Sequence, residues 1–468
     1  MSGPKHSCGV VGISAAHNVV PALQKALMII QHRGQESAGV SVFESGTIRT
    51  VKDNGLVQVA LDKDELLTLD SDVGVGHVRY STTGSKGAIN AQPFTTTTSL
   101  GMIAIAHNGD ITNYLTLKKK YLDSGASFQT DSDSELIACM LGRYMTLHND
   151  PVRAMKSMMS ELDGSYALTV LVGDRLFGVR DQYGLRPLCV GKMDDGHIIV
   201  SESAAIDALN GKFVRNVAPG EIVEITKDHV TSYHGRDSKH RAYCMFEWVY
   251  FARPDSIIDD REVYDVRKRI GEILARECPA DVDLIMPIPD SGRAHAIGFS
   301  IASGIPYEEG FMKNRFAERT FILPDQAERE LAVSMKMNPI KGTVSGKRMV
   351  IVDDSIVRGT TLKKLISNLR KAGAKEVHVR VGSPPVIAPC YYGVDMKSRD
   401  QFVANDRTID EICKIIGADS LGYISIDGLI EAIDKPEGDL CLACVNGKYP
   451  TPIPGEVQRY QSTLNSEF

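Results

Sequence analysis

The sequence predicts two α/β domains in tandem, the first strand-rich and mixed, the second built on a mostly parallel sheet. Three observations carry that reading. The chain has 468 residues, more than one ordinary hydrophobic core organises. A polar, charge-dense run, His234-Gly235-Arg236-Asp237-Ser238-Lys239-His240-Arg241, reads as a linker near its middle. Before that run apolar strand-like stretches recur with few helices among them. After it, strands and helices alternate, as they do in a parallel sheet.

The elements follow in order. In the first domain, residues 101–106, 166–172 and 221–225 are apolar and strand-like. One helix carries Leu23, Leu27 and Ile30, with Pro21 at its start and Gly34 beyond its end. Another begins near Ser132 and repeats Leu136, Ile137, Met140, Leu141 and Tyr144 on one face. In the second domain, 283–288 and 349–352 read as buried strands. A helix with Leu362, Leu365, Ile366 and Leu369 follows, Gly373 closes it, and 377–381 is the next strand. Ligands of such sheets bind at the carboxyl ends of the strands.

Composition narrows the function. With 43% hydrophobic and 24% charged residues, the chain is an ordinary globular protein. No apolar run approaches the roughly 18–20 residues of a membrane span, and residues 1–7 lack the apolar stretch of a secretory signal. A net charge of −6 makes no electrostatic case for nucleic acid. An anionic substrate must therefore meet a local basic patch. The nine cysteines, an odd number without an export signal, argue for a reducing, cytoplasmic setting.

The most specific motif is Val350-Ile351-Val352-Asp353-Asp354-Ser355-Ile356-Val357-Arg358-Gly359-Thr360-Thr361. A buried strand ends in two acids, and a loop with glycine and two threonines opens a helix. Backbone N–H groups and hydroxyls at a helix N-terminus form an anion site suited to a 5′-phosphate. Paired carboxylates can accept hydrogen bonds from a ribose diol and help hold Mg²⁺. The bland alternative is a strand-end turn with solvated acids.

The motif resembles the phosphoribosyl pyrophosphate (PRPP) motif of type I phosphoribosyltransferases, and Pro287-Ile288-Pro289-Asp290-Ser291-Gly292-Arg293 is similar to that family's pyrophosphate loop. The resemblance implies that Ser291, Asp353 and Asp354 surround a Mg²⁺–PRPP complex. Asp290, Ser291, Gly292 and Arg293 would line the pyrophosphate, and Ser355, Ile356, Val357, Arg358, Gly359, Thr360 and Thr361 the phosphate. Between the two loops, residues 311–348 hold eight basic and four acidic side chains, the cationic patch a pyrophosphate needs. A segment this long with little periodicity is a surface insertion or a lid, and closure over PRPP favours the lid.

Cys8 is oddly placed for a structural thiol, since chain ends are usually frayed. Cleavage before it would put an α-amine, of reference pKa roughly 7.7–8.0, beside the thiol: a nucleophile and its base on one residue. On position alone a buried core cysteine is as good a reading. The motifs that follow are His32-Arg33-Gly34-Gln35-Glu36-Ser37, Gly76-His77-Val78-Arg79-Tyr80-Ser81-Thr82, His107-Asn108-Gly109-Asp110 and Ser132-Asp133-Ser134-Glu135. Each is weak alone. In this order, ahead of a PRPP motif, they resemble the glutaminase domain of N-terminal-nucleophile amidotransferases. From Cys8 to about Pro452 the chain is similar to the amidophosphoribosyltransferase family.

That resemblance implies an αββα sandwich at 8–235, a phosphoribosyltransferase domain at 242–468, and a leader, residues 1–7, removed on maturation. It assigns Cys8 as nucleophile, Asn108 and the Gly109 N–H as oxyanion donors, and Arg79, Asp133 and Gly34 to glutamine. Ammonia would pass through an internal channel to displace pyrophosphate from PRPP, the entry step to purine nucleotides. Purine nucleotides as feedback inhibitors and a homotetramer are further implications. The chain departs at Gln182, where relatives usually carry proline, and at Ser201-Glu202-Ser203-Ala204, which lacks a cysteine often found there. A sibling amidotransferase with another acceptor fits less well with the 353–361 motif. A non-catalytic PRPP or nucleotide sensor would have eroded catalytic residues, which are intact here.

Cys441-Leu442-Ala443-Cys444 is a metal-style pair that, with Cys244 and Cys390, could hold Zn²⁺ or an iron–sulfur cube. The iron–sulfur branch of the family has cysteines in these contexts, which implies a [4Fe-4S] cluster stapling the C-terminal segment to the second domain. Cys139, Cys189, Cys278 and Cys413 read as ordinary thiols.

Overall fold

The computed structural model describes residues 8–80, 88–98, 101–238, 240–313, 337–396 and 398–453. The expected leader (residues 1–7), Ser81 and Thr82, and most of the expected lid, including Asn314, Arg315, Phe316, Arg319, Thr320 and Phe321, lie outside the described residues.

The first half is two stacked antiparallel sheets of seven and six strands. Gly9–Ala15 is central in the larger sheet, between Gly196–Val200 and Val73–Arg79. In the smaller, Gly101–Ile111 pairs with Gly164–Val172. Period-two alternation builds the layers. Val10, Val75, Ala104, Ala106 and Leu171 pack between the sheets. Val11, Ile13 and Val40 face Leu23 and Leu27 of the helix Val20–Ile29. On the far side, Ile103, Ile105 and Leu168 face Leu136, Ile137, Met140 and Leu141 of the helix Asp133–His148. Three apolar layers make an αββα sandwich. The expected strand at 221–225 appears as Glu221–Ile225, while that at 101–106 runs on to Ile111. Ile30 caps its helix rather than belonging to it.

The second half holds four strands in one parallel sheet, in chain order: Leu284–Pro287, Arg348–Asp353, Glu376–Val381 and Ser420–Tyr423. The helices Arg293–Ser303, Thr360–Lys371 and Ile409–Ile416 follow the first three strands. Ile285, Val350 and Val352 pack on one face with Phe299. Leu284, Met349 and Ile351 pack on the other with Leu362, Leu365, Ile366 and Leu369. Between the halves, the Ala242 N–H donates to the Tyr183 carbonyl at 2.8 Å; within the second half, Tyr243–Cys244 pairs in parallel with Leu440–Cys441.

Candidate active site

Cys8 immediately precedes the central strand of the larger sheet. The residue is buried, 9% exposed, and its thiol sits 3.4 Å from the Tyr80 carbonyl, while the Tyr80 N–H points at the sulfur from 3.5 Å. Burial pushes the thiol up; the Tyr80 backbone and Arg79 pull it down, and Asp133 and Glu36 push it up again. Arg79 and Asp133 therefore both lie within electrostatic reach of Cys8. The turn that holds Gly34 is tied to the same strand end, since the Glu36 N–H donates to the Arg79 carbonyl at 3.0 Å.

Asn108 and Gly109 come from the smaller sheet. Asn108 is fully buried, and neither its amide nitrogen nor its amide oxygen has a hydrogen-bond partner. Such an orphan is costly unless a ligand satisfies it. Gly109 admits no side chain: a Cβ would stand 2.0 Å from the Ser165 carbonyl oxygen. Asp133 opens its helix behind the cap Ser132, whose hydroxyl accepts from the Ser134 N–H. One Asp133 carboxylate oxygen accepts from the Ile111 N–H at 3.1 Å, and the other is 3.7 Å from His107 Nδ1. His77 is buried, hydrogen-bonded through Nε2 to the His107 carbonyl at 3.0 Å, and burial takes it down to about 3.

The sequence reading missed what stands behind Cys8. Buried Arg33 donates through Nε to the Cys8 carbonyl at 3.0 Å and pairs with Glu202 at 2.5 Å and Glu247 at 2.8 Å. Arg186 reaches the same Glu247 at 3.1 Å. Arg33 stands in one of the motifs, but its Glu247 partner is 214 residues away, so no local pattern could reveal the pair.

In the second half, Asp353 ends its strand and Asp354 follows, both buried. The Asp354 N–H donates to Asp353 Oδ1 at 3.0 Å, and the Ser355 hydroxyl to Asp354 Oδ1 at 3.2 Å. Burial and the Asp353 charge raise Asp354 well above the carboxylate range, against the pull of Ser291, Arg267 and Ser355. Ser291 is thus brought to the acid pair. Gly359, at φ +72°, turns the chain into the helix Thr360–Lys371, whose first N–H groups face the loop. The Ile356 and Val357 side chains are buried, the Val357 carbonyl accepts from the Val403 N–H at 2.8 Å, and the Arg358 guanidinium is turned to Gln401. The 288–293 loop lies alongside: the Ile288 N–H donates to the Val352 carbonyl at 2.9 Å. Asp290 pairs with Arg293 at 2.7 Å and with Lys313, and Arg293 also with Glu309 at 3.1 Å.

Cys244 and Cys441 are register partners across their two short strands. Cys441 and Cys444 are buried, Cys244 and Cys390 half-buried. Burial, then Cys390, Cys441 and Cys244, push Cys444 well up, so all four thiols share one neighbourhood. Among the described residues no three His, Cys, Asp or Glu side chains stand close enough to hold a metal ion as they are.

Comparisons with known proteins agree with this geometry. Residues 77–208 match the family described as a glutamine amidotransferase domain, and residues 267–381 a phosphoribosyl transferase domain. An amidophosphoribosyltransferase of Methanocaldococcus jannaschii is 47% identical over 95% of this chain and 98% of its own. That of Synechococcus elongatus is 44% identical over 99% and 95%. A solved glutamine PRPP amidotransferase from B. subtilis, complexed with ADP and GMP, superposes with a TM-score of 0.90 at 39% identity, covering 96% of this chain and 98% of that one. A second structure, described as the allosteric regulatory enzyme of purine biosynthesis, superposes at 0.91 with 40% identity over 96% and 97%.

Proposed function

The chain belongs to the amidophosphoribosyltransferase family, and from that premise we propose how its own residues perform the reaction. Glutamine, PRPP and water become glutamate, 5-phosphoribosylamine and pyrophosphate, the first step of purine nucleotide synthesis. We assign residues 8–235 to the glutaminase and 242–468 to the phosphoribosyltransferase.

Removal of residues 1–7 frees the Cys8 α-amine, which takes the thiol proton as sulfur attacks the glutamine side-chain amide. The orphaned Asn108 amide and the Gly109 N–H receive the oxyanion, an effect worth roughly 3–4 kcal/mol per donor elsewhere. Arg79 holds the substrate carboxylate through its fork, Asp133 holds the ammonium, and Gly34 lines the same pocket. The amine returns the proton to the departing ammonia, and water releases glutamate.

Ammonia then passes internally to the second site and displaces pyrophosphate at the ribose. Asp353 and Asp354 hold the ribose diol, the 355–361 backbone and hydroxyls the 5′-phosphate, and 290–293 the pyrophosphate. The oxygen donors of Ser291, Asp353 and Asp354 suit Mg²⁺, which would neutralise charge on the leaving pyrophosphate. The four neighbouring thiols of Cys244, Cys390, Cys441 and Cys444 are a donor set that suits a [4Fe-4S] cluster, a structural staple with no redox part in the reaction. Purine nucleotides as inhibitors, in keeping with the ADP- and GMP-bound relative, a homotetramer and a cytoplasmic setting belong to the same reading. Among the described residues no helix is long and apolar enough to cross a membrane.

The observation that carries the proposal is the fully buried, partnerless Asn108 amide. Cys8→Ser tests it: glutamine-dependent synthesis disappears while ammonia-dependent synthesis persists. Loss of both refutes the two-site assignment.

A further inference from the structure

The Gly109 peptide is held from behind by a loop of the other half. At Gly393, where φ is +91°, an added Cβ would stand 3.0 Å from the Gly109 carbonyl carbon, 3.1 Å from its oxygen and 3.2 Å from an Arg186 guanidinium nitrogen. Any side chain at Gly393 would therefore press on the Gly109 backbone, and backbone cannot yield by changing rotamer. One residue earlier, the Tyr392 carbonyl accepts from the Ser165 hydroxyl at 2.9 Å and from Arg186 Nε at 2.8 Å, both donors belonging to the glutaminase half. Ser165 also accepts, at 3.1 Å, from the N–H of Asp110, which belongs to the peptide that follows Gly109. That peptide is thus gripped at its nitrogen by Ser165 and covered at its carbonyl by Gly393. Fixing the peptide after Gly109 restricts rotation about Gly109 itself, the most permissive of residues, and hence the direction of its N–H.

We propose that residues 390–394 are a working part of the glutaminase site: the Tyr392 carbonyl and the Gly393 backbone set the orientation of the Gly109 oxyanion donor. Ser165 and Arg186 are positioning residues that lock the loop in place. Glu247 joins the arrangement, because its carboxylate binds both Arg186 and Arg33, and Arg33 holds the Cys8 carbonyl. Nucleophile and oxyanion donor are each secured through the second half, so glutamine chemistry is competent only when the two halves are docked. The inference rests on the assignment of Gly109 as an oxyanion donor.

Gly393→Ala and Ser165→Ala in the full chain test it. A donor misdirected by a fraction of an ångström fails in the transition state more than in the ground state. For Gly393→Ala, kcat for glutamine hydrolysis should fall about 10- to 100-fold, with KM and ammonia-dependent synthesis within about twofold. For Ser165→Ala, which loses both the hydrogen bond to the Tyr392 carbonyl and the one from the Asp110 N–H, the fall should be about fivefold or more. A separate readout is binding of glutamate γ-semialdehyde, whose aldehyde carbon bonds to the Cys8 sulfur while the thiol proton passes to the new hydroxyl. Its affinity should drop in step with kcat, while glutamate affinity holds.

The inference is overturned if both variants hydrolyse glutamine at the parental rate, if KM rises with kcat intact, or if the ammonia route falls equally. Should Gly393→Ala not fold, Ser165→Ala decides by the same criteria. Asn108→Ala separates the two levels. If it hydrolyses glutamine normally, the oxyanion assignment fails and this inference with it. If it is inactive while the loop variants are normal, the loop inference alone fails.

Discussion

Arg33 and Glu247 form a two-point ion pair across the two halves of the protein, with Nη2–Oε1 at 2.8 Å and Nη1–Oε2 at 3.0 Å. Both side chains are almost wholly excluded from solvent. Arg33 also neutralises Glu202, which accepts from the Arg253 N–H at 2.8 Å and the Ser256 hydroxyl at 2.9 Å. One guanidinium therefore satisfies two carboxylates while holding the Cys8 carbonyl.

Removing that guanidinium takes the shared cation from two buried acids, leaving Glu247 to Arg186 and Glu202 to His32 and its remaining donors. Arg33→Met should destabilise the chain by about 3–5 kcal/mol, the usual cost of breaking a buried pair from one side. The single tryptophan, Trp248, is buried next to Glu247, so its fluorescence during urea unfolding reports on this junction. An unchanged midpoint would show that the pair contributes little.

His77 predicts an acid lability. Its ring is buried and its folded pKa lies at about 3, below the ordinary 6.5. Below pH 6.5 the unfolded chain binds a proton that the folded chain refuses. Stability is therefore intact above pH 6.5 and lost as pH falls from there toward 3, by up to about 1.4 kcal/mol per pH unit. His77→Gln keeps a donor for the His107 carbonyl and should flatten this dependence. Parallel pH profiles of the two proteins in denaturant would dispose of the idea.

Asp353→Asn should do the reverse of Cys8→Ser. Losing one carboxylate of the PRPP pair should lower ammonia-dependent synthesis by about 100-fold or more, leaving glutamine hydrolysis without PRPP near its parental rate. Titrating PRPP against both reactions separates the two outcomes.

The cysteine quartet makes a chemical forecast. Protein prepared anaerobically should carry about four irons and four sulfides per chain, and Cys441→Ser or Cys444→Ser should lose them together with stability. Iron-free protein, or stoichiometric zinc, would remove the cluster assignment.

How much of this was legible differs by distance along the chain. Asp353, Asp354 and Gly359 lie within one strand-turn-helix unit, so their placement follows from local geometry. The helix starting at Asp133 was equally readable from Ser132 and its apolar repeat. Arg33, Arg186 and Ser165 left no such trace. Their partners Glu247 and Tyr392 lie 61 to 227 residues away, and a lone arginine or serine has no periodicity to mark it. Gly393 was equally silent, since its need to be glycine comes from Gly109 pressed against it.

The sequence by itself determined the two-domain α/β class, the ordered motifs that run on from Cys8, and the strand that ends in Asp353 and Asp354. These are encoded by side-chain period and by short stretches whose chemistry is local. Only the tertiary structure decided that a loop of the second half backs the Gly109 peptide, that Glu247 links Arg33 to Arg186, and that four scattered cysteines share one neighbourhood. The physical reason is that burial makes partners obligatory. A charge or peptide group taken from water must be satisfied by whatever the fold brings to it, and chain order does not record which group that is.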